Sequence, residues 1–331
     1  MQLKTPYLLF LGDAADQLAA KTADGVAFWR PDSCVGQLRL PACQADLHLP
    51  DLTLAEGRKA GAQTLLVGVA NRGGVISEAW MATLTAALDL GYHIASGLHN
   101  RLGDIPALRE KADAAGLTLS DVRYPDRQYP LANGIKRSGR RFLTVGTDVS
   151  CGKMYTALFM EREMRARGMT ADFRATGQTG IFIAGSGVAV DAVIADFIAG
   201  ATEWLTPAGD ADHWDVVEGQ GSLFHASYAG VTLGLIHGSQ PDRLVLCHDP
   251  ARPHMRGLPH QPLPDLVQSI RVNEEAARLT NPDCRVIGIS MNTSKLEAAA
   301  VEGVLKAAED TTGLPALDPN RHGVSRFVDA L

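Results

Sequence analysis

The sequence predicts an α/β protein of two domains, each organised around a mostly parallel sheet. Apolar runs of strand length alternate with segments of helical spacing, and glycine-bearing loops mark many of the handovers between them. A change of composition between Arg123 and Arg141 separates two such series. A chain of 331 residues is also long enough to bury two cores.

The first series opens with Leu8, Leu9, Phe10 and Leu11 before Gly12, a core strand in this reading. The run is too short for the apolar part of a secretory signal and has no small-residue cleavage site. Thr64-Leu65-Leu66-Val67-Gly68-Val69 reads as another buried strand, running into the loop Ala70-Asn71-Arg72-Gly73-Gly74. Residues 77–91 have helical spacing and stop at Gly91; Tyr92-His93-Ile94-Ala95 and the loop Ser96-Gly97-Leu98-His99 follow. Parallel sheets bind ligands beyond the carboxyl ends of their strands, where both loops fall. Between Arg123 and Arg141, Pro125, Pro130, Gly134 and Gly139 stand among polar residues with little apolar periodicity. The divide is placed there, giving a Rossmann-like domain over 1–137 and a P-loop NTPase-like domain over 138–331.

The second series restarts with Arg141-Phe142-Leu143-Thr144-Val145, and further strands are expected at 215–217, 243–246 and 286–289. The first of these strands runs into Gly146-Thr147-Asp148-Val149-Ser150-Cys151-Gly152-Lys153, and a helix then extends through Arg167 to Gly168. Glycines let such a loop curl so that amides point inward, and the helix start adds partial positive charge. Lys153 supplies a full charge. The order strand, loop, helix marks a phosphate site. The loop has one residue more between its outer glycines than the standard pattern. Met154 stands where Ser or Thr would ligate magnesium, and a thioether is a poor ligand for a hard cation. A cofactor whose pyrophosphate is held but not cleaved, such as coenzyme A, suits residues 146–154 better than a nucleotide to be split.

Bulk properties narrow the partners. A net charge of −6 gives no basic face for nucleic acid. Polar residues interrupt every apolar stretch short of a membrane span. Five cysteines without a CxxC pair argue against a disulfide framework or zinc site and for a reducing cytoplasm. Small-molecule substrates and a homo-oligomer are the expectation.

The extended loop resembles that of dethiobiotin synthetase, whose second signature is similar to Val217-Glu218-Gly219-Gln220-Gly221-Ser222. A closer likeness covers almost the whole chain. Ala175-Thr176-Gly177-Gln178-Thr179-Gly180, the run from Ile183 to Val193, Asp212 to Leu223 and Gly230 to Gln240 resemble the D-glutamate N-acetyltransferase family with a P-loop domain. Residues 70–74 and 95–99 fit the same family. The resemblance implies transfer of acetyl from acetyl-CoA to the amino group of D-glutamate, with no metal required.

That chemistry asks for a base, carboxylate recognition and a cofactor cradle. Glu218 is the first candidate base, since it follows a buried strand and precedes a Gly-rich turn. His225 is the second, having a near-neutral reference pKa. Asp191, read as opening a helix, is a third. Arg72, Arg174, Gln178, Thr179 and Ser222 are candidates for binding the substrate, with Arg252 and Arg256 plausible carboxylate partners. Cys151 reads as a small residue beneath the phosphates, and His213, His237 and His248 as structural. Two other readings stay open: an ATP- and magnesium-dependent ligase or kinase, with Asp148, Glu218 or Asp191 holding the metal, and a nucleotide sensor without catalysis.

Overall fold

The computed structural model describes residues 3–69, 76–125 and 127–331. The chain forms two compact units, Met1–Asp126 with Gly177–Ala192, and Arg127–Thr176 with Val193–Leu331.

The first unit carries a five-stranded sheet of β1 (Tyr7–Gly12), β2 (Cys34–Arg39), β3 (Thr64–Val67), β4 (His93–Ser96) and β5 (Leu119–Asp121). Their order is β2-β1-β3-β4-β5, and every pair is parallel. All six positions of β1 are buried, as expected of a strand covered on both faces. The connecting helices are α1 (Lys21–Trp29), α2 (Leu54–Lys59), α3 (Glu78–Asp89) and α4 (Pro106–Ala115). Helix α2 starts at a reciprocal cap, in which Thr53 and Glu56 each bond the other's backbone amide. The core centres on Phe10, Leu65, Ile94, Leu84 and Trp80, with Phe10 and Trp80 in edge contact at 5.6 Å.

The second unit carries β6 (Arg140–Gly146), β7 (Ala171–Arg174), β8 (Trp214–Val217), β9 (Arg243–His248), β12 (Arg285–Met291) and β13 (Ala316–Leu317). Their order is β13-β12-β9-β6-β8-β7, again all parallel. A separate antiparallel hairpin pairs β10 (His254–Met255) with β11 (Leu258–Pro262). The helices are α5 (Lys153–Ala166), α7 (Ile198–Leu205), α8 (Ala229–Ser239), α9 (Leu266–Arg278), α10 (Ala298–Thr312), α11 (Pro319–His322) and α12 (Ser325–Val328); α6 (Gln178–Ala184) lies in the first unit. From β6 the chain moves outward to β7, returns through β8, and crosses to β9 on the other side of β6. The strand order therefore reverses at β6 and β9, which places a ligand crevice at their carboxyl ends. None of the helices is long and apolar enough to cross a membrane, among the described residues.

Three details differ from the sequence reading. Residues 127–137 pack with the second unit, because Arg137 bonds Thr206, Gly238 and Gln240 there, and residues 177–192 pack with the first. Asp191 opens no helix; it sits in a single 3-10 turn, Val190–Ala192, and the extended Ile194 (ψ 136°) separates that turn from the next. Strand β7 and the β10–β11 hairpin go beyond the sequence reading. In β7 the residues Asp172 and Arg174 alternate with apolar ones over only four positions, too short a run to separate from loop.

Candidate functional site

The phosphate loop occupies the crevice at the carboxyl end of β6. Gly152 stands at φ 104° and Ser150 at φ 51°, which turns the loop back before α5 begins. Gly146 has to be glycine: a Cβ there would lie 2.8 Å from Cys151 Sγ, 2.9 Å from Asp148 O and 3.0 Å from Lys153 Nζ. The amides of Ser150, Cys151, Gly152, Lys153 and Met154 donate to no protein acceptor among the described residues. Lys153 is buried, and its ammonium donates to Asp148 O at 2.7 Å. Converging amides, a helix start and an ammonium make a donor set fitted to a diphosphate.

The metal position differs from that of a nucleotide-splitting loop. Met154 occupies it, half-buried, and the next hydroxyl of α5 that is buried, Thr156 two residues on, bonds Gly152 O and Ser290. Asp148 is buried and fully engaged. Its carboxylate pairs with Arg252 and accepts from the amides of Arg256 at 2.8 Å and Val149 at 2.7 Å. Cys151 lies beneath the loop, 1% exposed, donating to Asp148 O and Cys247 O at 3.1 and 3.3 Å. Behind it, burial pushes the Cys247 thiol up to about 12. The loop is also tied to β9, since Thr147 Oγ1 and His248 Nδ1 are 2.9 Å apart. Burial holds the His248 ring below its usual range, so it is neutral in this bond.

The loop after β8 lies against the phosphate loop. Gly219 N donates to Thr144 Oγ1 at 2.8 Å, and a Cβ on Gly219 would sit 1.7 Å from Thr144 O and 3.0 Å from Lys153 Cδ. Only glycine permits this approach. Glu218, 4% exposed, is thereby fixed beside β6. Its Oε2 accepts from Thr176 N at 2.9 Å and its Oε1 from Gln220 Nε2 at 3.1 Å. Ser222 is buried and its Oγ caps Phe224 N at 3.3 Å.

His225 and the hairpin close the other side. His225 Nδ1 accepts from Ser227 N at 3.2 Å, which leaves Nε2 to carry the proton and donate to Arg256 O at 3.1 Å. With both nitrogens engaged and the ring 2% exposed, His225 orders the loop, and the geometry gives it no free lone pair for a base. Arg256 is therefore held at both backbone ends, by Asp148 and by His225, while its exposed guanidinium has no protein partner among the described residues.

Other sequence candidates stand elsewhere. Arg174 does not reach outward: its Nε donates to the buried Asp215 at 2.6 Å, beside His213. Asp191, in the first unit, pairs with Arg123 at 2.6 Å. Gln178, with its amide oxygen turned to accept, lies 3.0 Å from Arg123 Nε, so Gln178 and Asp191 share one guanidinium. Thr179 bonds the Thr22 hydroxyl at 3.4 Å. Arg72 lies outside the described residues. His248, read as structural, ties the phosphate loop to β9 through Thr147, whereas Asp249, which meets the loop only through Arg252, was missed by the sequence reading.

The match to known proteins runs the length of the chain. Residues 35–125 match a family model described as DUF1611_N, a Rossmann-like domain, and residues 130–328 one described as DUF1611, a P-loop domain. A D-glutamate N-acetyltransferase of Tritonibacter scottomollicae is 58% identical over 329 residues, with 99% of each chain covered. One from Pseudoalteromonas sp is 47% identical over 328 residues, with the same coverage. A crystal structure of a DUF1611 family protein from Anabaena variabilis superposes with a TM-score of 0.87 at 32% identity, covering 99% of both chains. The chain belongs to the DUF1611 family, and within it to the D-glutamate N-acetyltransferase group.

Proposed function

We propose that this chain moves acetyl from acetyl-CoA to the amino group of D-glutamate, giving N-acetyl-D-glutamate and CoA. The observation that carries the reading is the end-to-end identity of 58% with a protein of that activity. The phosphate loop agrees with it. Its donors suit a diphosphate, while Met154 and the engaged Asp148 offer little to a magnesium ion that would drive phosphoryl transfer.

Bound acetyl-CoA supplies an acyl group already activated as a thioester. The residues have three tasks. The amides of 150–154 and the Lys153 ammonium hold the diphosphate, which anchors the thioester arm beyond β6 and β8. Orientation of this kind supplies up to about 7–11 kcal/mol in ideal cases. Glu218, fixed by Thr176 and Gln220, takes the proton the substrate ammonium must shed, directly or through water. The amine then forms the C–N bond, the C–S bond breaks, and the second proton that the nitrogen loses on becoming an amide passes to the thiolate. Arg256 supplies the cation for a substrate carboxylate, since its backbone is pinned and its guanidinium projects freely. Arg174, Asp191, Gln178 and Thr179 serve the packing and ion pairs of their own units in this scheme.

The test is thiol release by the purified protein with acetyl-CoA and D-glutamate, in EDTA, with L-glutamate as control. Release with the D-isomer alone supports the proposal. Magnesium-dependent ADP formation with an acceptor, and no thiol, would replace it with a ligase or kinase. A cytoplasmic, homo-oligomeric enzyme remains part of the proposal, and light scattering reads the assembly.

A further inference from the structure

Arg252 makes more contacts with the phosphate loop than any role in carboxylate recognition would leave room for. Its Nη1 pairs with the buried Asp148 carboxylate and donates to Val149 O at 2.7 Å. Its Nη2 donates to Ser150 O at 3.1 Å and to Asp249 Oδ2 at 3.2 Å. Planar trans peptides fix the consequence. In each peptide the carbonyl and the following N–H point in opposite directions. A guanidinium that pulls the carbonyls of Val149 and Ser150 to one side turns the amides of Ser150 and Cys151 to the other. Those two amides are among the unpaired donors of the cradle. Ser150 also holds φ 51°, a left-handed conformation that is strained for a residue with a Cβ and persists only where surrounding contacts enforce it.

Charge adds a second reason. Asp148 and Asp249 are 1% and 2% exposed, and both lie within reach of Arg252; Lys295, mostly exposed, reaches Asp249 at 3.4 Å. Removing Arg252 leaves the buried Asp148 carboxylate uncompensated in the loop that is to receive an anion.

We infer that Arg252 is a positioning residue for the cofactor, which aims the cradle amides of Ser150 and Cys151 and neutralises Asp148 beside the diphosphate. The inference rests on the proposed use of acetyl-CoA, and a phosphate-free donor separates the two. Acetyl-pantetheine carries the same thioester without the diphosphate. With wild type, Arg252→Met and the double variant Asp148→Asn/Arg252→Met, kcat/KM is measured for both donors, together with CoA affinity by calorimetry and the unfolding midpoint.

Loss of a charged hydrogen-bonding group is expected to weaken CoA binding about tenfold or more in Arg252→Met. The rate with acetyl-pantetheine should change by less than about twofold, and the double variant should regain part of the CoA affinity by removing the stranded charge. Equal losses with both donors, or CoA affinity within about twofold of wild type, would overturn the inference, as would a double variant no better than the single one. Should Arg252→Met fail to fold, Arg252→Lys keeps the charge without the planar fork, and the same donor-selective loss is expected. A wild-type protein that binds no CoA would instead refute the proposed function.

Discussion

Replacing Gly219 by alanine tests whether the approach of the β8 loop to the phosphate loop is fixed by backbone against backbone. The added methyl would lie 1.7 Å from Thr144 O and 2.7 Å from its carbonyl carbon, both in the strand that leads into the loop. Neither can swing aside as a side chain would. Overpacking of this kind costs about 1–3 kcal/mol. Any shift also stretches the 2.8 Å bond from Gly219 N to Thr144 Oγ1, worth about 0.5–1.5 kcal/mol. Against this, alanine restricts the unfolded chain and returns about 0.4–1 kcal/mol. The net expectation is a loss of about 0.5–4 kcal/mol for Gly219→Ala. Gly303 is the internal control. It lies in α10, exposed, with nothing within 4 Å of the place an added methyl would take, so Gly303→Ala should stabilise by about 0.5–1 kcal/mol. Urea unfolding followed by far-UV circular dichroism measures both. Opposite signs support the reasoning, and a Gly219→Ala protein as stable as wild type would refute it.

Glu218→Gln keeps the size of the side chain but removes the base and sets an amide NH2 against one of the two donors, Thr176 N and Gln220 Nε2, that the carboxylate satisfies; kcat for thiol release should fall by about 10²–10⁴ with KM for acetyl-CoA little changed, and near-normal turnover at saturation removes Glu218 from that role. Arg256→Gln should raise KM for D-glutamate about tenfold or more and leave KM for acetyl-CoA alone, whereas a rise in the latter would assign Arg256 to the cofactor. Burial holds the folded pKa of His248 below its unfolded value of about 6.5. The unfolded chain therefore binds more protons, and stability present above about pH 6.5 is lost as pH falls toward the folded value. His248→Gln should flatten that acid limb in urea midpoints between about pH 5 and 7.5, and an unchanged slope would contradict the assignment.

The phosphate loop was legible in the sequence because its parts are contiguous: a buried strand, two glycines, a lysine and a helix within one run. The strands at 64–69, 215–217, 243–246 and 286–289 were legible for the same reason, since each carries its apolar residues in one short contiguous stretch. Pairings between distant residues were not. Arg174 and Arg252 read alike, as cations able to meet a substrate carboxylate, yet one is spent on Asp215 and the other on Asp148, 104 residues away in the chain. His225 has a suitable reference pKa, but Ser227 N and Arg256 O occupy both its nitrogens, which only the fold reveals. The return of residues 177–192 to the first unit carries no local signal either, since glycines flank α6 just as they flank other helices.

In the proposed function the amides of residues 150–154 and the Lys153 ammonium receive the diphosphate of acetyl-CoA. A crystal structure of the complex with CoA reads this directly. The diphosphate should lie within hydrogen-bonding distance of those amides and of Lys153 Nζ, with the thiol arm directed toward Glu218. A diphosphate bound elsewhere, with residues 146–153 making no contact to it, would contradict the account.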